Sequence, residues 1–155
     1  MRRRIKKKNI RKPDTKYGSL NVEMFSNYVM QGGKKSVARK IVYSALDEMG
    51  KQTKKDALDI FETALRNTTP LLEVRSRRVG GANYQVPREV SSNRGMSLAI
   101  RWLIGAAKSK KGKPMYKKLA EELILASKNE GDAIKKRENM RKMAESNKAF
   151  AHFAW

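Results

Sequence analysis

The chain has 155 residues, 39% of them hydrophobic, a length that fits one domain with extended ends. Lys and Arg number 36 against 15 Asp and Glu, a net charge of +21 that draws polyanions at long range. A dense polyphosphate relieves the resulting self-repulsion by neutralising charge and releasing counterions, so nucleic acid leads over anionic membrane. The absence of cysteine excludes disulfides, thiol nucleophiles and Cys-ligated zinc. The basic N-terminus is not followed by an apolar run of signal-peptide length. The longest apolar-leaning segment, Met96 to Ala107, is interrupted by Arg101 and Gly105. An intracellular, soluble protein with no membrane partner is expected, with a cytoplasmic and an organelle location both open.

Residues 1–18 read as a basic arm. Nine basic residues lie between Arg2 and Lys16 against one acid, Asp14. Arg2-Arg3-Arg4 and Lys6-Lys7-Lys8, joined by Arg11 and Lys12, carry too much like charge to fold alone. The arm is expected to be flexible in free solution and to order against phosphates.

A single helical domain is expected over 19–150, with a hairpin at about 72–87 and a tail at 151–155. Its first helix starts near Ser19 or Asn21, carries Leu20, Met24, Phe25, Tyr28 and Val29 on one face, and ends at Gly32-Gly33. The second runs from about Lys35 to Met49, burying Val37, Ile41, Val42, Ala45 and Met49, with Gly50 as a left-handed cap. Lys34, Lys35, Arg39 and Lys40 crowd its start, where the helix dipole prefers acids; a bound phosphate would reverse that penalty. Thr53 and Asp56 resemble a capping box ahead of a third helix. That helix buries Leu58, Ile60, Phe61, Ala64 and Leu65 and ends before Pro70.

Alternation then replaces helical spacing. Leu72, Val74, Ser76 and Arg78 fall on one face of a strand, Arg75, Arg77 and Val79 on the other. After Gly80-Gly81, Ala82 to Val86 returns with Tyr84 and Val86 on one face. Gly-Gly between two such runs signals a tight hairpin, and a lone hairpin among helices is expected to project. Ser91-Ser92 caps a fourth helix with Met96, Ala99, Ile100, Leu103, Ile104 and Ala107 inward, and Trp102 packs with the core. Lys108, Lys110, Lys111 and Lys113 form a basic loop, and Pro114 falls in the first turn of a fifth helix. That helix buries Tyr116, Leu119, Ala120, Leu123 and Ile124. A last helix from about Asp132 has a thin apolar stripe of Ile134, Met140, Met143 and Ala144. The expected fold is mainly α, a six-helix bundle with one projecting β-hairpin and a flexible basic N-terminal arm.

Catalysis finds little support. His152 is the sole histidine and lies three residues from the end, a place suited to surface contact or stacking on RNA. Asp47-Glu48 and Glu121-Glu122 are adjacent acids that point in different directions, so they read as solvated partners of lysines. Gly32-Gly33-Lys34-Lys35-Ser36 lacks the spacing of the phosphate loop of nucleotide hydrolases and follows a helix rather than a strand. No enzyme, metal or cofactor is expected.

The hairpin is the most informative element. Arg75, Arg77 and Arg78 can grip phosphates as forks or stack on bases. Tyr84 can stack on a base or anchor the ribbon to the helices. Architectural DNA-bending proteins are the alternative, but they insert an apolar wedge at the tip of a β-arm, and Val79-Gly80-Gly81-Ala82 offers none. Cations dispersed over arm, second helix, hairpin and the loop around Lys110 suit a folded RNA better than one groove.

Several blocks resemble the small-subunit ribosomal protein seven family of bacteria. They are Gly33-Lys34-Lys35-Ser36, Arg75-Ser76-Arg77-Arg78-Val79-Gly80-Gly81 with Tyr84-Gln85-Val86-Pro87, and Leu98-Ala99-Ile100-Arg101-Trp102-Leu103. Met143-Ala144-Glu145 and Asn147-Lys148-Ala149-Phe150-Ala151-His152 complete the set, in order and spacing from about Asp14 to His152. The resemblance implies a structural constituent of the small ribosomal subunit. Such a protein binds the 3′ major domain of 16S ribosomal RNA, nucleates assembly of the head, and contacts exit-site tRNA near the mRNA exit channel, facing ribosomal protein eleven and other head proteins. By position it implies ribosomal RNA contact for Arg2, Arg3, Arg4, Lys6, Lys7, Lys8, Arg11, Lys12, Lys34, Lys35, Arg75, Arg77 and Arg78, with Arg94 and Arg101 as further candidates. It places Gly80, Gly81, Ala82, Asn83 and Tyr84 near exit-site tRNA. Arg88 stands where that family usually has an apolar residue, and Phe153-Ala154-Trp155 replaces its commoner Tyr-Arg-Trp ending.

Overall fold

A computed structural model describes residues 12–153; the expectations placed on Arg2, Arg3, Arg4, Lys6, Lys7, Lys8 and Arg11 lie outside them, as does the end of the tail. The order of elements is α1 (Leu20–Val29), α2 (Lys35–Thr53), α3 (Ala57–Thr68), β1 (Leu72–Val79), β2 (Ala82–Glu89), α4 (Ser92–Ser109), α5 (Met115–Ser127) and α6 (Asp132–Ser146). A 3-10 helix, Lys148–Phe153, closes the described chain. The expected mainly α fold with one antiparallel hairpin is borne out.

Helix α5 packs against α2, α3 and α4, and α1 lies on α2 and α4. Leu119, Ala120, Leu123 and Ala126 of α5 bury its inner face, while Leu103, Ile100 and Ala107 do so for α4. Phe25 and Phe61, both fully buried, meet edge to face at 5.3 Å between ring centres. Trp102 packs half-buried against this core, as its helical position suggested.

Several element boundaries differ from expectation for identifiable reasons. The inward face of α1 is Val22, Glu23, Phe25, Ser26 and Val29, one helical stripe, and Leu20 falls off it at 54% exposed. Helix α2 runs one turn past Gly50 and ends at Lys54, which adopts φ 53° in place of the expected glycine cap. Thr53 donates its hydroxyl to Met49 O at 2.7 Å, so it finishes α2 and forms no capping box. Asp56 alone caps α3, accepting from Leu58 N at 2.9 Å. Val37 is exposed and Ala38 turns inward. Pro114 stands at the cap position of α5, before the first turn. In α6 the buried residues are Ala133, Ile134 and Ala144, and Met143 faces outward.

Glu122 departs from its expected solvated role. It is 1% exposed, accepts from Ala133 N at 3.0 Å and pairs with Lys110 Nζ at 2.7 Å. Gly131, the cap position of α6, has no side chain to satisfy that first-turn N–H, so the α5 carboxylate supplies the acceptor. Gly131 holds φ 94°, and a Cβ there would lie 2.8 Å from Glu122 Oε1, so glycine admits the close approach.

The arm's root is also more ordered than charge suggests. Asp14 is buried and accepts from Lys16 N at 3.0 Å, Tyr17 N at 3.1 Å and the Tyr43 hydroxyl of α2 at 2.7 Å. Lys16 Nζ and the Tyr17 hydroxyl each reach Asp47 Oδ1 at 3.0 Å. Residues 14–17 are thus tied to α2, because a desolvated carboxylate has gathered three donors.

Candidate nucleic-acid interface

The hairpin pairs Arg75 with Val86, Arg77 with Tyr84 and Arg78 with Asn83 across its strands, and Gly80 and Gly81 turn it at φ 56° and 90°. Positive φ at both central positions is what a two-residue primed turn needs. Strand β2 continues to Glu89, beyond the expected end, and Val90 N bonds Leu71 O at 3.0 Å to close the base. That base rests on α6 and on the 3-10 helix, while Gly80, Gly81, Ala82 and Asn83 form an exposed tip.

Cross-strand partners share a face, so Glu73, Arg75, Arg77, Tyr84, Val86 and Arg88 lie together and Val74, Arg78, Asn83 and Pro87 lie opposite. On the first face, Tyr84 meets Phe150 and Phe153, each at 5.2 Å between ring centres. Arg77 Nη1 donates to Phe153 O at 2.8 Å. The tyrosine ring thus ties the ribbon to the C-terminal segment, an anchor to the 3-10 helix. His152 lies exposed beside Phe153, 4.0 Å between ring centres.

Glu73 was not foreseen. It is 6% exposed; its Oε1 accepts from Arg75 Nε at 2.6 Å and its Oε2 from Arg94 Nε of α4 at 3.1 Å. Burial pushes its carboxyl up, but the bonds from Arg94 and Arg75 outweigh this and hold it below the usual carboxylate range. Two residues before Arg75 on an alternating strand, it necessarily shares Arg75's face, and that spacing was the available signal.

A second cluster surrounds the start of α2. Lys34 is exposed at the cap position, with no acid in the first turn of the helix. Lys35 pairs with Glu23 of α1, and Arg39 Nη2 reaches the same carboxylate at 3.1 Å. These partners, Lys35 foremost, hold the Glu23 carboxyl below its ordinary value. The unfavourable crowding of cations at this helix start is thus answered in part by an acid from the neighbouring helix. Glu23 sits within the buried stripe between Val22 and Phe25, an acid on an apolar face. Arg101 lies over the Tyr28 ring at 5.6 Å, a cation–π contact that leaves it exposed. Arg78 and Lys12 are exposed and make no ion pair among the described residues.

The structure therefore joins Arg75 to Arg94 through Glu73 and Lys35 to Arg39 through Glu23, and sets Arg78 on the opposite hairpin face. Among the described residues no group of His, Asp and Glu could hold a metal ion, and no helix is long and apolar enough to cross a membrane. Guanidinium and ammonium groups on α2, the hairpin and α4 define a strongly basic, mainly helical protein with its cations spread over several elements. The chain matches the model of the family described as ribosomal protein S7p/S5e over residues 1–148, and it belongs to that family. It is 54% identical to small ribosomal subunit protein uS7 of Fervidobacterium nodosum and of Thermotoga maritima, over all of both chains in each case. It is 56% identical to that of Dictyoglomus turgidum over 92% of each chain. The expectation of a non-enzymatic ribosomal protein is borne out by that membership.

Proposed function

We propose that this protein is a structural constituent of the small ribosomal subunit that binds the 3′ major domain of 16S ribosomal RNA and nucleates assembly of the head. The hairpin tip contacts exit-site tRNA near the mRNA exit channel, beside ribosomal protein eleven. The carrying observation is the placement of cations on separate rigid elements: Lys34 and Lys35 at the start of α2, Arg75, Arg77 and Arg78 on the hairpin, and Arg94 and Arg101 on α4. Helices converging in a folded RNA junction present phosphates in several directions, which one flat basic patch could not match. The arm, from Arg2 to Lys12, adds phosphate contacts in this reading, and Gly80, Gly81, Ala82, Asn83 and Tyr84 form the tRNA-proximal end.

Binding of a 3′ major domain transcript, measured as a function of salt, tests this. The affinity should fall steeply with salt, duplex DNA should compete poorly, and Lys34→Ala should reduce the salt slope by about one. Equal competition by duplex DNA, or a salt slope near zero, would remove the reading.

A further inference from the structure

We infer that Glu73 is a positioning residue that fixes Arg75 and Arg94 as one two-armed clamp for an RNA backbone phosphate at the base of the hairpin. The inference rests on the proposed RNA-binding function and adds to it the device that orders two of its arginines. One carboxylate serves both guanidiniums, Oε1 taking Arg75 Nε and Oε2 taking Arg94 Nε, at 2.6 and 3.1 Å. Each arginine spends its inner nitrogen on the acid. Their terminal nitrogens make no bond to any described residue, and the side chains stay 54% and 40% exposed against 8% for the acid. The acid lies inside and the forks lie outside.

The charge around Glu73 points the same way. Arg88 is its cross-strand partner on the same face, is exposed, and makes no ion pair among the described residues. Two guanidiniums against one carboxylate leave the trio positive, and like charges gathered on one acid repel unless a further anion joins them. A phosphate accepts parallel N–H donors from a planar fork, and two forks held by one carboxylate lose little freedom on engaging it. The two arginines come from different elements, a strand and a helix, so without the acid no other bond among the described residues would hold them side by side.

The test turns on a sign. Removing a negative charge from a protein that binds a polyanion should, by long-range electrostatics alone, tighten binding. Positioning predicts the reverse. With the full chain and a 3′ major domain transcript as probe, Glu73→Gln should weaken binding by about fivefold or more and lower the salt slope by about one, while Glu73→Asp recovers part of both. Arg75→Ala and Arg94→Ala should each weaken binding, and the double variant should lose less than the product of the two. Circular dichroism and thermal unfolding report whether each variant is folded. If Glu73→Gln does not fold, the arginine cycle decides: a loss equal to the product of the single losses overturns the clamp. A folded Glu73→Gln that binds as tightly as the parent, with Arg75→Ala and Arg94→Ala still weakened, overturns the positioning role and leaves the RNA-binding reading standing. Failure of the parent protein to bind the transcript with steep salt dependence would instead remove that reading itself.

Discussion

Glu122→Ala removes a carboxylate that is 1% exposed and serves two partners, the Ala133 N–H at 3.0 Å and Lys110 Nζ at 2.7 Å. Without it, a first-turn N–H of α6 is buried with no acceptor and the lysine loses its counter-charge. Breaking a buried pair by deleting one partner costs about 3–5 kcal/mol. The Lys110 side chain is 26% exposed and can reach water once released, which places the loss near the lower end, about 3 kcal/mol. Glu122→Gln keeps an acceptor for Ala133 and loses the ionic part, so it should cost about 1–2 kcal/mol. Urea unfolding followed by far-UV circular dichroism should show a lower midpoint at unchanged slope, and the thermal midpoint of Glu122→Ala should fall by roughly 6–12 °C. Gly131→Ala should also destabilise, because its φ of 94° and the 2.8 Å approach of Glu122 Oε1 leave no room for a Cβ. A Glu122→Ala protein within about 0.5 kcal/mol of the parent would refute the account of this carboxylate as the acceptor for α6.

Three further outcomes are expected. Phe61→Ala empties a fully buried ring site that faces Phe25 and should cost about 3–5 kcal/mol in the same unfolding assay. Asp14, Glu23, Asp47 and Glu73 all have folded carboxyls below their ordinary values, so protons bind the unfolded chain more readily than the folded one. Their stabilisation is present above the ordinary carboxylate range and is lost as pH falls through the folded values; urea midpoints should drop from pH 5 toward about pH 3, less steeply in Asp14→Asn. Tyr84→Ala removes the ring between Phe150 and Phe153 and should speed hydrogen exchange of the β1 and β2 amides while leaving α5 protected.

The fold was legible in the sequence wherever period and punctuation agreed. The α3, α4 and α5 stripes are unbroken runs at helical spacing, and Gly80-Gly81 between two alternating runs admits little but a hairpin. Helix ends were less legible because competing local bonds decide them. Gly50 reads as a stop, yet Thr53 bonding back to Met49 and Lys54 in the left-handed region carry α2 one turn farther. Position within a stripe was less legible at Leu20 and Val37, where size suggests burial but the buried stripes start at Val22 and Ala38.

The interface was legible as a set of cations and illegible as an arrangement. Composition finds Arg75, Arg94, Lys35 and Arg39. It does not reveal that Glu73 and Glu23 gather them in pairs, since an acid in a basic chain reads as a solvated counter-charge. Glu122 escaped for the same reason. Buried acids are recognisable only once their donors, which come from other elements, are in place. Tyr84 had two roles open to it, and the contact with Phe150 and Phe153 depends on a 3-10 segment that has no periodic signal.

Sedimentation of a native lysate through a high-salt sucrose cushion, probing for this chain across the fractions, shows whether the protein resides in the small subunit. A protein held by many phosphates and folded into the subunit should pellet with small ribosomal subunits after the salt wash. Its release into the soluble or DNA-bearing fractions would contradict a structural place in the small subunit.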